Sequence, residues 1–135
     1  MKILVIDDDP AMTELLRLLL LPTHFTVITT YSGSDGIALV ASDHPDLIIL
    51  DLLLPQIDGY QVCKTVRKSN DTPILILSAL DKPGVVAQAL DSGADDYLVK
   101  PVTGEELIAH INNLIRRHRA QKGVLMSNHR TIDVK

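Results

Sequence analysis

The sequence of 135 residues contains no tryptophan and one cysteine, Cys63, and only 3% of its residues are aromatic. A single thiol excludes an intrachain disulfide framework and any multi-cysteine metal or cluster site. The scarcity of aromatic rings makes the core aliphatic and argues against a base-stacking platform for nucleic acids. We predict that Cys63 is a small buried core residue rather than a reactive thiol.

Long hydrophobic runs are also missing. Arg17 interrupts the leucine-rich stretch from Leu15 to Leu21, and no apolar run reaches the ~18 residues of a membrane-spanning helix. The N-terminus lacks the apolar segment and small-residue cleavage site of a secretory signal. We therefore expect a cytoplasmic protein with no membrane partner. With 46% apolar and 22% charged residues, the chain has the composition of one globular domain.

Charge is distributed unevenly along the chain. Residues 1–115 hold 7 basic and 16 acidic side chains, a net charge of −9, whereas residues 116–135 hold 6 basic and one acidic side chain, a net charge of +5. A basic end of this kind is usually a helix C-terminus, favoured by the helix dipole and followed by a solvated tail. A contact between this tail and nucleic acid is the less favoured interpretation.

Short apolar runs alternate five times with segments of helical periodicity. The predicted strands are Lys2–Ile6, Phe25–Thr30, Leu47–Leu50, Ile74–Leu77 and Tyr97–Val99. Because the runs are apolar on both faces, they predict an α/β fold with a five-stranded parallel sheet and helices on both sides. Helical periodicity fades after about Gln121, so we predict a domain over residues 1–120 and a linker over residues 121–135.

Polar residues stand at the ends of four predicted strands. Asp7 and Asp8 end the first strand, Asp51 the third, Ser78 the fourth and Lys100 the fifth. Any one of them alone could simply mark a strand exit. The C-terminal ends of parallel strands share one edge of the sheet, where ligands bind, so we expect all five residues to converge there.

Three carboxylates at one edge require a cation. At an effective dielectric of ~20, two carboxylates ~4–5 Å apart repel by ~3–4 kcal/mol, and Lys100 offsets only one charge. An oxygen-only ligand set favours a hard divalent ion, so the predicted cofactor is Mg²⁺. In such a site Asp51 can act as a nucleophile toward a phosphoryl group, whose oxygens Mg²⁺, Lys100 and Ser78 would hold. The chain lacks the glycine-rich loops of dinucleotide and ATP sites, and no two histidines have metal-ligand spacing.

Four segments carry a family resemblance, namely ILVIDDDP at 3–10, PDLIILDLLLPQIDGY at 45–60, PILILSA at 73–79 and GADDYLVKP at 93–101. In order and separation they resemble the receiver domain of two-component response regulators. The resemblance implies a doubly wound, flavodoxin-like fold with strand order 2-1-3-4-5. It also implies that Asp51 accepts phosphate from a sensor histidine kinase.

The resemblance assigns a metal site to residues of this chain. It implies that Asp8 and Asp51 bind Mg²⁺ directly. Asp7 would act through water, and the backbone carbonyl of Leu53 would be a further ligand.

The resemblance also implies a phosphoryl-binding and switching set. Ser78 and Lys100 would contact the phosphoryl group. Tyr97 would be the aromatic switch residue, which turns inward as Ser78 moves toward the phosphate. The bond between Lys100 and Pro101 is expected to be cis.

Among receivers, this one most resembles the OmpR/PhoB class of transcription factors, on the basis of GADDYLVKP and EELIAHINNLIRR. The class implies a homodimer through the fourth helix, fifth strand and fifth helix. The charged residues that match this dimer face are Asp95, Asp96, Glu106 and Arg117. His110 and Val86 stand where basic residues are usual, and since exposed ion pairs contribute only ~0–1 kcal/mol each, the dimer would be weakened rather than excluded.

The leading hypothesis is a phosphorylation-activated receiver that controls transcription, with DNA contacted only through an output domain missing from this sequence. Residues 121–135, which include LMSNHRTIDVK, resemble the opening of such a domain. The alternative is a stand-alone receiver that docks on a partner or relays phosphate. A phosphatase is disfavoured because Leu53 stands where a general acid is expected. We expect no turnover enzyme, only catalysis of the receiver's own phosphorylation and dephosphorylation, the latter slowed by Leu53 and Leu80.

Overall fold

The computed structural model describes the backbone of residues 1–134 and the side chains of residues 1–123. Five strands and five helices alternate along the described chain. The strands are β1 (Lys2–Ile6), β2 (Thr26–Thr30), β3 (Leu47–Leu50), β4 (Ile74–Ser78) and β5 (Asp96–Val99). The helices are α1 (Pro10–Leu19), α2 (Gly33–Asp43), α3 (Gly59–Arg67), α4 (Pro83–Asp91) and α5 (Gly104–Val134).

The strands form one parallel sheet in the order β2-β1-β3-β4-β5, which confirms the predicted fold. Alternate residues of each central strand point to opposite faces. Leu4, Ile6 and Ile48 pack in a cluster with α2, α3 and α4, whereas Ile3 and Val5 pack in a second cluster with α1 and α5. The continuous apolar runs are therefore explained by burial of both faces of the sheet.

Side-chain caps fix where four of the helices begin, and Thr103 caps α5. The carboxylate of Asp9 accepts from the Ala11 N–H at 3.0 Å, and Ser32 and Asp58 cap α2 and α3 in the same way. Helix α4 ends at the cap residue Ser92, and Gly93 follows with φ of 119°, a conformation that only glycine adopts without strain.

The last helix is longer than the sequence pattern predicted. Its periodicity fades after Gln121, yet the backbone of α5 stays helical to Val134. The physical reason is that the segment contains no proline and only one glycine, Gly123, so nothing in it breaks a helix once burial ceases. At ~1.5 Å per residue, the helix is ~46 Å long.

We also examined the helices as candidate membrane spans. Among the described residues, none of them combines the length and the apolar character that crossing a bilayer requires.

Candidate functional site at the carboxyl edge of the sheet

The register of the sheet brings the predicted polar residues together. Ile6 pairs with Leu50, so the next residues, Asp7 and Asp51, leave neighbouring strands side by side, and the Asp51 N–H donates to the Ile6 carbonyl at 3.0 Å. On the other side, Ser78 pairs with Val99, which places Lys100 directly after that pair. Residues far apart in the sequence thus meet at one edge.

Three carboxylates cluster at this edge. Asp7, Asp8 and Asp51 each offer an oxygen, and these oxygens lie within 4.8 Å of one another. Asp7 and Asp51 are buried, with 3% and 6% of their surfaces exposed, whereas Asp8 is open to solvent. At an effective dielectric of ~20, each pair at this separation costs ~3–4 kcal/mol. The cluster is therefore an electrostatically strained arrangement that a cation would stabilise.

Lys100 supplies part of that compensation. Its ammonium donates to Asp7 Oδ2 at 2.8 Å and to Asp51 Oδ2 at 3.2 Å. Burial by itself lowers the pKa of Lys100, but the hydrogen bond that Lys100 donates to Asp7 and the charges of Asp51 and Asp7 outweigh it and leave that pKa raised. The ammonium is thus charged at neutral pH and fixed between the two buried acids.

Backbone groups orient the two buried carboxylates. Asp7 Oδ1 accepts from the Asp9 N–H at 3.0 Å, and Asp51 Oδ1 accepts from the Leu53 N–H at 3.2 Å. The backbone of Leu53 therefore lies against the Asp51 carboxylate, while 54% of the residue is exposed. These contacts leave the Asp8 carboxylate as the exposed, readily accessible member of the cluster.

Ser78, Leu80 and Tyr97 form a chain of contacts beside the carboxylates. Ser78 is fully buried, and its Oγ accepts from the Leu80 N–H at 3.3 Å. The Tyr97 hydroxyl donates to the Leu80 carbonyl at 2.6 Å, and its ring packs against the core cluster that contains α3 and α4. Burial is the main cause that raises the pKa of Tyr97, so this hydroxyl stays protonated.

The donor set fits a hard divalent cation. Asp7, Asp8 and Asp51 offer only oxygen ligands, and with Lys100 the four side chains carry a net charge of −2. Carboxylate oxygens without histidine or cysteine suit Mg²⁺ better than zinc or copper. The arrangement is thus a candidate cation site, in keeping with the sequence prediction.

The acids assigned to the dimer face have partners within the chain. Asp95 Oδ2 accepts from Arg67 Nη2 at 2.6 Å and from the Ile74 N–H at 2.8 Å, and Asp96 Oδ2 lies 2.6 Å from His110 Nδ1. Glu106 and Arg117, the other two members, are exposed on α5, where the Glu106 N–H receives a cap from Thr103. Neither belongs to the carboxylate site.

Two further expectations concern Pro101 and Cys63. The Lys100–Pro101 peptide bond is cis in the structure. Cys63 is fully buried in α3, and burial raises the pKa of its thiol to about 11, so it is a core residue as predicted.

One residue that positions the site was missed at the sequence level. A Cβ on Gly59 would lie 2.6 Å from the Leu52 Cα and 2.7 Å from the Asp51 carbonyl oxygen. Helix α3 can therefore approach the backbone of Asp51 only because its first residue has no side chain. In the sequence, Pro55 and Gly59 indicate only a loop, which gives no sign of this contact.

Comparison with known proteins is consistent with this geometry. The profile of the response regulator receiver domain matches residues 3–112. The response regulator MprA of Mycobacterium ulcerans is 42% identical over 121 residues, which are 89% of this chain and 52% of that protein. The response regulator ArlR of Staphylococcus aureus is 41% identical over 132 residues, 98% of this chain and 60% of that protein.

Solved structures give the same result. The receiver domain of the Francisella response regulator 1452 matches with a TM-score of 0.81 at 35% identity, covering 87% of this chain and 98% of that one. The chain therefore spans between about half and three fifths of the length of the curated relatives it matches.

Proposed function

Because the chain belongs to the response regulator receiver family, we propose that it is a phosphorylation-activated switch whose Asp51 accepts a phosphoryl group from a sensor histidine kinase. The observation that carries the proposal is the Lys100 ammonium, which lies 2.8 Å from Asp7 and 3.2 Å from Asp51. This ammonium holds the acceptor carboxylate at the open edge of the sheet, beside Asp8 and Ser78.

In the proposed reaction, an oxygen of Asp51 attacks the phosphorus of a phosphohistidine. The new P–O bond forms as the P–N bond breaks, the bonding pair leaves with the imidazole, and Asp51 becomes an acyl phosphate. Lys100, already beside Asp51, would contact one phosphoryl oxygen. Ser78, whose Oγ accepts from Leu80, would donate its hydroxyl proton to another.

A cation completes the proposed site. Asp8 and Asp51, the Leu53 carbonyl and, through water, Asp7 would hold Mg²⁺, which when bound supplies positive charge to the phosphoryl oxygens. The net charge of −2 on Asp7, Asp8, Asp51 and Lys100 supports this assignment. No catalysis beyond the receiver's own phosphorylation and dephosphorylation is proposed.

The switch would run through three residues. Movement of Ser78 toward the phosphoryl group displaces Leu80, because the Leu80 N–H donates to Ser78 Oγ. The Leu80 carbonyl in turn holds the Tyr97 hydroxyl, so Tyr97 and the neighbouring α4 follow. Phosphorylation would bias a pre-existing equilibrium between two arrangements of this segment.

The output is proposed to be transcriptional. The similarity to the OmpR/PhoB class and to longer response regulators, of which the matched residues are 52% and 60%, supports a DNA-binding output domain in the full protein, joined through residues 121–135. A cytoplasmic location fits this role. The alternative, a stand-alone receiver that docks on a partner or relays phosphate, predicts a full gene no longer than this chain.

Dimerisation through α4, β5 and α5 is part of the same proposal. It would require Asp95 and Asp96 to exchange their contacts with Arg67 and His110 for contacts with a second copy. Gel filtration before and after phosphorylation tests this step, and a monomer in both states would contradict it.

Phosphorylation itself is tested with acetyl phosphate and Mg²⁺, read by intact mass. We expect wild type and Asp81→Asn, an exposed acid in the loop after β4, to gain one phosphoryl group, and Asp51→Asn to gain none. Equal phosphorylation of Asp51→Asn and wild type would contradict the assignment.

A further inference from the structure

The part of α5 that follows Ile115 carries a group of four cations within residues 116–122. Ile115 is the last residue of α5 with a described side chain that is buried. Beyond it, Arg116, Arg117, Arg119 and Lys122 are all exposed. The helix thus leaves the core where its positive charges begin.

These four cations have no carboxylate within 4.0 Å among residues 1–123, whereas Arg17, Arg67 and Lys100 are each ion-paired. Arg116 donates to the Asn113 amide oxygen at 3.0 Å, and Arg119 to the Met1 sulfur at 3.4 Å, both neutral acceptors. The sequence contains no acidic residue between Glu106 and Asp133. None of the four cations is therefore held in a direct ion pair with a described residue, although Asp46 and Asp71 line a cavity that Arg119 and Lys122 also border.

The cations also lie at the opposite end of the molecule from the acids. Helix α5 starts near the carboxyl edge of the sheet and runs back to the other edge, where Ile115 and His118 line a cavity with Pro73 and Asp46, residues that precede β4 and β3. The acidic cluster and the basic helix are thus separated by the length of the sheet, and the two fields do not cancel.

The chemistry of this surface favours one kind of partner. A membrane-binding helix needs an exposed apolar face, and a protein interface has an apolar centre. The described part of α5 exposes no large hydrophobic side chain, because its apolar face is buried by the sheet. Cations interspersed with Asn112, Asn113 and Gln121 suit a polyanion whose charges are regularly spaced along its surface.

We propose that Arg116, Arg119 and Lys122, which are spaced three residues apart on α5, form a surface that contacts the phosphate backbone of DNA, whereas Arg117 belongs to the proposed dimer face. The proposal rests on the transcriptional output proposed above, because only a regulator brought to DNA would use such a surface. It adds a contact made by the receiver itself to those made by an output domain.

Arg119 and Lys122 border a neighbouring cavity of about 360 Å³, whereas Arg116 does not. His44, His118, Arg119 and Lys122 line it, but so do the carboxylates of Asp46 and Asp71. Asp71 Oδ2 lies 3.4 Å from His118 Nε2. The cavity is therefore partly acidic, and the exposed side of the helix beside Arg116 is the better anion surface.

The test is fluorescence anisotropy of a labelled DNA duplex titrated with the 135-residue chain at several salt concentrations. We expect weak, sequence-independent binding with a Kd of ~10⁻⁴–10⁻⁶ M. A plot of log Kd against the logarithm of the salt concentration should have a slope of ~0.9 for each phosphate contact. The double variant Arg116→Gln with Arg119→Gln should lower this slope by ~2. Lys64→Gln with Lys68→Gln, two exposed lysines at the end of α3 that change the net charge equally, should leave it unaltered.

Three results would overturn the proposal. They are the absence of binding at low salt, an equal loss in both double variants, and competition by polyglutamate as strong as that by DNA of the same total charge. The phosphorylation assay separates this failure from failure of the proposed function. If Asp51 is phosphorylated but the chain does not bind DNA, only the proposed DNA-binding surface is contradicted. If Asp51 is not phosphorylated, the proposed switch is contradicted, whatever the anisotropy experiment shows.

Discussion

The two positions whose side chains could orient a water molecule for hydrolysis of the acyl phosphate are occupied by Leu53 and Leu80, which are both apolar. Leu53 follows Asp51 by two residues and Leu80 follows Ser78 by two, and neither can orient a water molecule for attack on an acyl phosphate. We expect the phosphoryl group to persist for minutes or longer in purified protein with Mg²⁺. Its loss is measured over time by intact mass. Leu53→Asn should shorten it several-fold, whereas Leu90→Asn, on an exposed leucine of α4, should not. A wild-type half-life of seconds would contradict the prediction.

The thiol of Cys63 provides a pH-dependent prediction at the same scale. Burial raises its pKa from 9.0 to about 11, so the folded state favours the protonated thiol. This contribution to stability is fully present below pH 9 and is lost as the pH rises toward 11. We expect no alkylation by iodoacetamide at pH 8 in the folded protein and rapid alkylation in urea, both measured by mass. Fast labelling of the folded chain would contradict the prediction, because it would show that the Cys63 thiol is accessible to the reagent.

Individual site residues were predictable where strand position fixes their neighbours. Asp7 and Asp51 each follow a buried apolar run, Lys100 follows the short strand β5, and the sheet register then determines that they meet. Asp95 and Asp96 were less predictable. Their partners, Arg67 and His110, come from α3 and α5 and lie 28 and 14 residues away, and no periodicity in the sequence links them.

At the scale of elements, Gly59 sets how closely α3 approaches the site. In Gly59→Ala the new Cβ would be forced against the backbone of Leu52 and Asp51. Backbone atoms cannot move aside as the end of a flexible side chain can. We expect the free energy of unfolding to fall by ~1–3 kcal/mol, measured by urea denaturation. Gly84→Ala in the first turn of α4 is the control, because no atom lies within 4 Å of its Cβ, and it should be neutral or stabilising by up to ~1 kcal/mol. Equal effects of the two substitutions would contradict this account.

The elements themselves were largely predictable, since β1, β3 and β4 are apolar runs ended by a polar residue and β2 is rich in β-branched residues. The exception is the end of α5. Hydrophobic periodicity reports the face that a helix buries, and none of the described side chains that follow Ile115, up to residue 123, is buried. A stretch of helix without buried side chains leaves no signal in the sequence except the absence of helix breakers.

For the whole molecule, the acidic edge makes stability depend on the cation. Mg²⁺ binds the folded cluster and not the dispersed acids of the unfolded chain, so at ten times its Kd it should add about 1.4 kcal/mol. We expect Mg²⁺ to raise the Tm of wild type and of Asp35→Asn, an exposed acid of α2, and to raise that of Asp8→Asn much less. EDTA should reverse the effect. An equal response in both variants would place the cation elsewhere.

The contact between Lys100 and Asp7 joins residues 93 positions apart. During synthesis, the acids of β1 and β3 therefore emerge long before the ammonium that compensates them. A nascent chain that ends at β4 would hold the carboxylates of Asp7 and Asp51 together without the ammonium of Lys100. The carboxyl edge of the sheet would therefore be the last part of the fold whose free energy of formation becomes favourable. Competence to receive a signal would thus arise only after translation has passed the fifth strand, which keeps incomplete chains from responding.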